Sequence, residues 1–312
     1  MKTAILMLNM GGPNSLDEVE VFLSNMFNDK NIITVKSDLL RSFIAKMIVT
    51  SRGNQARKNY AELGGKSPIV GHTKKLIKKL NRKLRFEYVM RYTPPFSKTV
   101  LEKLKNDGIE KLILFPLYPQ YSTTTTLSSF EDIFDQIKEM QWSELSLCTV
   151  KPYYNDRDFN RLIADSILKS FTKKENTKDI DLIFSAHGLP QKIVDKGDPY
   201  QEQVEKQVEL LTKEFRDRGV NFRSISLAYQ SKVGPMKWLE PSLDTKLKEF
   251  KDRNVAIYPI SFTIDNSETD LELDIEYREL AEEFGLNSYK VIKVLNDSEE
   301  FVQFIFKKIE EL

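Results

Sequence analysis

The chain has 312 residues, of which 40% are hydrophobic and 30% charged, a composition typical of a globular protein large enough for two domains. Its formal net charge of +1 gives no electrostatic reason to expect nucleic acid as a partner. The single cysteine, Cys148, excludes an intramolecular disulfide and any metal or iron–sulfur site built from cysteines of this chain alone. We therefore expect a reducing, cytoplasmic setting.

The amino-terminal half has the pattern of alternating strands and helices. Residues 4–8 form a continuous apolar run, which predicts a strand covered on both faces and is too short for a signal peptide or a membrane span. Gly11, Gly12 and Pro13 force a turn, and Ser15 with Glu18 predicts a capping box for the next helix. The glycines do not form a G-x-G-x-x-G motif, so a dinucleotide site is not predicted. Further elements are predicted as helix 37–83, broken at 64–68, strand 86–90, a short helix ending at Gly108, strand 111–116, helix 126–140 and strand 145–150.

The alternation starts again after residue 150. The predicted elements are helix 157–172, strand 181–186, helix 200–217, strand 223–229, helix 243–250 and strand 254–260. This pattern predicts an α/β protein of two similar halves, residues 1–150 and 151–297, each with a parallel sheet flanked by helices, and a cleft between them. The apolar helix 298–312 is a candidate to pack on the first half.

The strongest functional candidate is His187. An apolar run, 182–184, leads through two small residues to this histidine, and Gly188 and Pro190 end the pattern. We therefore expect a buried strand that delivers His187 to the carboxyl edge of a sheet, where open α/β sheets bind ligands. The other histidine, His72, is predicted to lie on a helix surface, so His187 must supply any neutral imidazole that the chemistry needs.

Three glutamates follow another predicted strand at a spacing of four residues. Glu268, Glu272 and Glu276 would share one helix face, where their like charges repel. The plain interpretation is a solvated helix surface. The alternative is a cation path, because the row starts at the edge that should also hold His187. One histidine and several carboxylates suit a passing divalent ion such as Fe²⁺ better than a permanent zinc site.

Seven blocks of the chain resemble the ferrochelatase family, in the family's order and over nearly the whole length. They are ILMLNMGGP at 5–13, GGKSPI at 64–69, YPQYS at 118–122, SAHGLP at 185–190, GDPY at 197–200, QSKVGPM at 230–236 with Trp238, and ET at 268–269 with ELDIEY at 272–277. The resemblance implies two Rossmann-like, chelatase-type halves around a porphyrin cleft. It also implies a lyase that inserts Fe²⁺ into protoporphyrin IX to form protohaem, the last step of haem biosynthesis.

The resemblance also implies roles for single residues. His187 and Glu268 match the metal-binding pair and are, with Glu272, the predicted catalytic residues; Glu272 and Glu276 match an acidic line that conducts metal or protons. The predicted substrate-binding residues are Met10, Tyr60, Ser67, Arg91, Tyr121 and Trp238. Aromatic and thioether groups would pack on the macrocycle, and Tyr60, Ser67 and Arg91 would bind its propionates. A further basic propionate contact is either Arg52 or Arg57.

The sequence departs from the family's pattern at Asn266, where most relatives have a histidine. An amide cannot take up a proton at neutral pH, so His187 would supply all the imidazole chemistry, and turnover should show one imidazole-like ionisation at most. No cofactor is expected beyond Fe²⁺ as substrate, and no iron–sulfur cluster, since a cysteine-rich carboxyl-terminal segment is missing.

Two alternatives stay open at this point. One is a chelatase for another tetrapyrrole or metal, such as coproporphyrin or cobalt. The other is a porphyrin- or haem-binding protein without catalysis, which Asn266 would favour. The expected partners are a porphyrin and ferrous iron, with no nucleic acid. The oligomeric state is open, and so is peripheral membrane contact, because the sequence has no obvious amphipathic anchor.

Overall fold

The computed structural model describes residues 1–232 and 234–312; Val233, which belongs to the block at 230–236, lies outside the described residues. The chain forms two compact units. The first consists of Met1–Tyr118, Ser122–Lys151 and Asp297–Leu312, and the second of Pro119–Tyr121 and Pro152–Asn296.

The first unit is built on a four-stranded parallel sheet in the order β2-β1-β3-β4. Its strands are β1 (Thr3–Asn9), β2 (Phe86–Met90), β3 (Lys111–Pro116) and β4 (Ser146–Thr149). The central strand β1 is buried from Ala4 to Asn9, as its continuous apolar run predicts. The flanking helices are α1 (Val19–Asn28), α2 (Asp38–Glu62), α3 (Ile69–Leu80), α4 (Ser97–Asn106), a π-helix (Thr123–Leu127) and α5 (Ser128–Glu139).

The second unit repeats this plan with the order β6-β5-β7-β8, again all parallel. Its strands are β5 (Ile180–His187), β6 (Ser224–Gln230), β7 (Asn254–Pro259) and β8 (Ser288–Val291). Its helices are α6 (Arg157–Lys169), α7 (Gln191–Val194), α8 (Tyr200–Asp217), α9 (Leu243–Leu247), a second π-helix (Glu268–Glu276) and α10 (Tyr277–Glu283). The predicted α/β class with two parallel sheets flanked by helices is confirmed, while a cleft between the halves stays a prediction.

The last helix, α11 (Glu299–Glu310), follows the second unit in sequence but belongs to the first. Its apolar face includes Phe301, Phe304 and Phe306, all buried. The Phe306 ring meets the Phe86 ring of β2 edge-on at 5.9 Å between centroids. No helix in the described part of the chain combines the length and hydropathy needed to cross a bilayer.

The strand order places a topological switch point in each sheet. Connections leave the first strand of each unit in opposite directions, so the crevice lies beyond the carboxyl ends of β1 and β3 in one sheet and of β5 and β7 in the other. His187 is the last residue of β5, and Ser261 follows β7 by two residues. The sheet therefore delivers His187 to the position where such folds bind ligands.

The turn after β1 differs in one respect from its prediction. Ser15 makes no side-chain cap. Instead, the Glu18 carboxylate accepts hydrogen bonds from the backbone N–H of Asn14 at 2.9 Å and from its side-chain amide at 2.8 Å. A short 3₁₀ turn at Leu16–Glu18 then precedes α1. The capping-box prediction was wrong because Asn14 competes successfully for the glutamate that the box requires.

The two glycines of that turn are needed for close packing. Gly11 has φ of +86°, and a Cβ there would lie 2.4 Å from the Thr93 hydroxyl. A Cβ at Gly12 would lie 2.6 Å from the Ser67 side chain. The Thr93 hydroxyl also accepts a hydrogen bond from the Gly12 N–H at 3.1 Å. The motif thus brings two loops against the end of β1.

Candidate active site

His187 and Glu268 meet at the carboxyl edge of the second sheet. His187 Nδ1 lies 2.7 Å from Glu268 Oε2, with both side chains partly buried. A carboxylate can only accept, so Nδ1 carries the proton and donates it. Nε2 has no hydrogen-bond partner among the described residues. In neutral His187 its lone pair is therefore available for a proton or a metal ion.

Two residues to which the sequence assigned no role, Ser261 and Tyr200, hold the backbone of His187. The Ser261 hydroxyl accepts a hydrogen bond from the backbone N–H of His187 at 3.1 Å. The Tyr200 hydroxyl donates to the His187 carbonyl at 2.9 Å and lies 2.6 Å from the Ser261 hydroxyl. Tyr200 closes the GDPY block and is the first residue of α8. The block therefore fixes the backbone of His187.

Glu268 and Glu272 share hydrogen-bond donors at the end of β6. The Gln230 side-chain amide lies 3.3 Å from a carboxylate oxygen of each glutamate. The Ser231 hydroxyl lies 2.6 Å from Glu272 and 3.2 Å from Glu268. Gln230 is fully buried, and Ser231 adopts φ of +65° to reach the pair. The QSKVGPM block thus holds two carboxylates side by side, which the sequence alone did not indicate.

The three glutamates lie on a π-helix rather than an α-helix. Residues four apart on an α-helix are offset by about 40° around its axis. A π-helix is closed by i→i+5 bonds, and side chains four apart lie near one another on its surface as they do on an α-helix. Glu268 and Glu272 are partly buried, and Glu276 is exposed at the end of the row. The structure brings Glu268 and Glu272 together on a helix of a different type from the one predicted, while a place for Glu276 in the same row stays a prediction.

Asn266 has a structural role at the start of this helix. Its side chain is buried, and its amide oxygen accepts a hydrogen bond from the Glu268 N–H at 2.7 Å. The Asn266 N–H in turn donates to the Thr269 hydroxyl at 2.9 Å. Asn266 therefore orients the backbone that carries Glu268, as a short polar side chain does at a helix start.

Burial and charge shift the pKa values of all three site groups. Burial lowers the pKa of His187, but the Glu268 carboxylate outweighs it and the net pKa lies above its usual value. Burial raises the pKa of Glu268, and the imidazole and its hydrogen bonds outweigh this, so the net pKa is lowered. Burial, aided by the charge of Glu268, raises the pKa of Glu272 to about 7. Glu272 is thus a second group that titrates near neutrality, whereas the residue types alone suggested only His187.

Comparison with known proteins identifies the family of this chain. A model of the ferrochelatase family matches residues 2–312. The chain belongs to the ferrochelatase family.

Curated relatives share high identity over nearly their full length. The chain is 53% identical to the ferrochelatase of Sulfurimonas denitrificans, covering 97% of this chain and 96% of the relative. It is 48% identical to that of Nitratiruptor sp., over 96% of each chain, and 45% identical to that of Helicobacter pylori strain P12, over 100% of this chain and 94% of the relative. As a member of this family the chain is an enzyme, a metal chelatase of the lyase class that acts in haem biosynthesis.

Solved structures show the same fold at much lower identity. The chain aligns with SirB from Bacillus subtilis with Fe³⁺ at a TM-score of 0.58 and 13% identity, over 100% of this chain and 95% of that one. A second SirB structure, a sirohydrochlorin chelatase in complex with cobalt, gives a TM-score of 0.55 at 12% identity, with the same coverage. At this level of identity the similarity concerns the fold alone.

Four of the predicted substrate contacts lie at the carboxyl edge of the first sheet. Met10 follows β1 and packs, with Tyr60, in one apolar cluster; Ser67 packs against Gly12. Arg91 follows β2, and its backbone N–H donates to the Asn9 carbonyl at 2.9 Å. Tyr60 and Ser67 are both buried, at 7% and 4% exposure. The four residues are therefore gathered at one edge, although their roles toward a substrate stay predictions.

The other two predicted substrate contacts belong to the second unit. The Tyr121 N–H donates to the Gln203 side chain at 2.8 Å. Trp238 pairs with Pro190 in an isolated β-bridge. A Cβ at Gly188 would come within 3.5 Å of the Trp238 ring, so this ring lies next to the turn that follows His187.

The remaining histidine belongs to the first unit, whereas His187 belongs to the second. His72 is in the first turn of α3 and is half-buried rather than exposed, with no hydrogen-bond partner for Nδ1 among the described residues. Within residues 1–232 and 234–312, no three His, Cys, Asp or Glu side chains are grouped so that they could hold a metal ion. The site therefore offers the pair His187 and Glu268 as its nearest approach to a ligand set.

Proposed function

We propose that this chain inserts Fe²⁺ into protoporphyrin IX to form protohaem, with His187 and Glu268 as the central groups. The observation that carries the proposal is the free Nε2 of His187, held beside two carboxylates at the switch point of a parallel sheet. Such a group can accept a proton or bind a metal ion, and both events occur when a porphyrin is metallated.

The two protons released on insertion set the chemical requirement. As Fe²⁺ binds the four ring nitrogens, two pyrrole N–H bonds break and both protons must leave. Neutral His187 accepts one at Nε2, and the Glu268 carboxylate stabilises the imidazolium that forms. Glu272, with its pKa raised to about 7, is a second acceptor at neutral pH. Glu276 then continues the row to the protein surface.

His187 and Glu268, as only two protein ligands, are suited to transient binding and release of a metal ion. A structural metal site closes its coordination shell with four protein ligands, whereas His187 and Glu268 leave most positions of Fe²⁺ open. Nitrogen and carboxylate oxygen suit this borderline ion. In this proposal the pair binds the incoming ion briefly, and the porphyrin nitrogens then replace His187 and Glu268 as its ligands.

The surroundings of the two candidate arginines favour Arg52 as the propionate contact. Arg57 donates to the Leu16 carbonyl at 3.0 Å and pairs with Asp17 at 3.3 Å. Arg52 is exposed on α2 and makes no ion pair with any described residue. A guanidinium without a partner can form a bidentate bond with a carboxylate at no cost in existing contacts. We therefore assign the propionate contact to Arg52, together with Tyr60 and Ser67.

Metal insertion by the purified protein under anaerobic conditions tests the proposal. Protoporphyrin IX, coproporphyrin III and sirohydrochlorin are each supplied with Fe²⁺ or Co²⁺, and the metallated product is followed by absorbance. The proposal predicts the highest kcat/KM for Fe²⁺ with protoporphyrin IX. Faster metallation of coproporphyrin, or of sirohydrochlorin with Co²⁺, would establish one of the other chelatases. Tight porphyrin binding without turnover would indicate a binding protein.

An exposed apolar face on α2 supports peripheral membrane contact as part of this function. Leu39, Phe43 and Met47 are 87%, 62% and 57% exposed, and their spacing of four places them on one face, next to the exposed Lys46. Such a face binds a lipid surface, where poorly soluble porphyrins gather. We expect sedimentation with anionic vesicles that Phe43→Ser weakens without lowering Tm. Equal sedimentation of both proteins would contradict the assignment.

A further inference from the structure

A buried carboxylate in the first unit collects four hydrogen-bond donors. Asp29 follows α1 directly, and its side chain is 1% exposed. It accepts hydrogen bonds from the Tyr92 hydroxyl at 3.0 Å, from the Asn31 N–H at 2.7 Å and from the Ser128 hydroxyl. The Arg91 guanidinium lies 3.1 Å away. Burial of a carboxylate this deep costs free energy unless such donors compensate it.

Arg91 is held by the same cluster, although its side chain is 24% exposed. Its Nε donates to the carbonyl and the hydroxyl of Ser128, at 3.2 and 2.9 Å. A second carboxylate, Asp132, lies 3.6 Å from the guanidinium, which also stacks over the Tyr92 ring at 5.2 Å. Two carboxylates therefore face one guanidinium. Arg91 has no uncompensated positive charge with which to attract a propionate.

The cluster is joined to the end of the central strand. The N–H groups of Arg91 and Tyr92 donate to the carbonyls of Asn9 and Met10, at 2.9 and 3.0 Å. Whatever fixes Arg91 and Tyr92 therefore also fixes the backbone at Met10. This edge lies at the switch point of the first sheet, where a ligand is expected.

We infer that Asp29 is a positioning residue for metal insertion: it holds Arg91 and Tyr92, and through them the Met10 edge, in the geometry that receives the uncharged part of the macrocycle. The inference rests on the proposed function, because it assigns this edge to the porphyrin. It changes the expected role of Arg91 from a propionate contact to a structural support whose charge is compensated by Asp29 and Asp132. Asp29 itself touches no substrate.

The two possible roles of Arg91, as a propionate ligand or as a structural support, predict different effects on kcat and KM. If Arg91 bound a propionate, Arg91→Gln would raise KM, and Asp29→Asn, which frees the guanidinium, would leave KM unchanged or lower it. If Arg91 is a support, both substitutions misplace the edge and act mainly on kcat. Misplacement of a catalytic site by about 1 Å costs up to about a hundredfold in rate.

A double-mutant cycle on the full-length protein tests the inference. Asp29→Asn, Arg91→Gln and the double variant are compared for kcat and KM of iron insertion, and for porphyrin affinity by fluorescence quenching. We expect kcat to fall between about tenfold and a hundredfold in each single variant, with KM and affinity within about threefold. The double variant should be no slower than Arg91→Gln, because Asp29 acts through Arg91. Multiplicative losses of kcat, or a selective rise of KM in Arg91→Gln, would overturn the inference.

Two further variants keep the test decisive if Asp29→Asn fails to fold, as the loss of a buried charge partner can cause. Tyr92→Phe removes one donor from Asp29 and keeps the charges. It should also lower kcat, and an unchanged kcat would overturn the inference.

Asp107→Asn is the matched control, since Asp107 pairs with Arg85 at the opposite edge of the same sheet, at 2.5 Å. It should leave kcat and KM unchanged. Absence of iron insertion by the unmodified protein would instead refute the proposed function, and fluorescence would still report porphyrin binding.

Discussion

At the scale of single residues, the sequence locates His187 but not the groups that define its chemistry. An apolar run that ends in small residues and Gly188 is a local signal, and it correctly predicts a histidine at a strand end. Ser261, Tyr200 and Ser231 lie 74, 13 and 44 residues from His187 along the chain, and no local pattern links them to it. The pairing of β5 with β6 and β7 brings Ser231 and Ser261 to His187, and the start of α8 brings Tyr200.

The raised pKa of Glu272 predicts a measurable effect of pH on stability. Its folded pKa of about 7 exceeds the ordinary value of 4.5, so between these values the folded protein keeps a proton that the unfolded chain has lost. This group therefore makes the protein less stable as pH rises through that window. Glu272→Gln lacks the titration. Its free energy of unfolding should gain about 1 to 3 kcal/mol relative to the unmodified protein between pH 4.5 and pH 7, measured by urea denaturation.

The same substitution has a kinetic signature. The profile of kcat/KM against pH should show two ionisations near neutrality in the unmodified protein, and Glu272→Gln should keep only the one that belongs to the His187–Glu268 pair. Glu279→Gln is the control, since Glu279 is exposed on the following helix α10 and has no assigned role in the reaction. Identical stability and rate profiles for Glu272→Gln and the unmodified protein would contradict the assigned pKa.

At the scale of elements, the strands with strong apolar patterns were predicted within a residue or two, and weakly patterned elements were missed. β8 has four residues, of which only Tyr289 is buried, so its sequence resembles a loop. The two π-helices also escaped prediction, because glutamates four residues apart fit an α-helix and a π-helix equally well. Both π-helices follow the third strand of their sheet, a position that the repeated topology alone explains.

The turn that follows β5 yields a prediction at this scale. A Cβ at Gly188 would lie 2.6 Å from the Gln230 carbonyl oxygen, a backbone atom that can move only with the end of β6. Gly188→Ala should therefore destabilise the protein by about 1 to 3 kcal/mol and lower kcat, because His187 moves relative to Glu268. Gly71→Ala is the matched control: its Cβ meets nothing within 4 Å, and in helix α3 it should stabilise by about 0.5 to 1 kcal/mol. Thermal denaturation and iron insertion would show both effects, and equal Tm values for the two variants would contradict this packing.

At the scale of the whole molecule, the chain forms two α/β units of the same plan, and its last helix, α11, packs in the first unit. The alternating pattern predicts the two sheets from sequence, since each βα unit has a local signature. The partner of α11 cannot be predicted in this way, because its apolar face would fit any exposed sheet or helix. The structure gives the reason for its apolar residues: Phe306 packs on Phe86 in the first unit.

The packing of α11 in the first unit predicts that this carboxyl-terminal helix stabilises the amino-terminal unit. Phe301 is fully buried, so Phe301→Ala should cost about 3 to 5 kcal/mol of unfolding free energy. Limited proteolysis should then cut within residues 1–118 at a protease concentration that leaves the unmodified protein intact. Lys307→Ala, at an exposed position of the same helix, is the control and should change neither result. Cleavage confined to residues 152–296 would contradict the packing of α11 on the first unit.

The central claim is that His187 takes part directly in metal insertion, and the turnover of His187→Ala tests it most directly. Iron insertion into protoporphyrin IX under anaerobic conditions should fall by about 10² to 10⁴, the usual contribution of a general base, while porphyrin affinity by fluorescence quenching stays within a few-fold. His72→Ala, which changes the only other histidine, should retain full turnover. Near-normal iron insertion by His187→Ala would contradict the account.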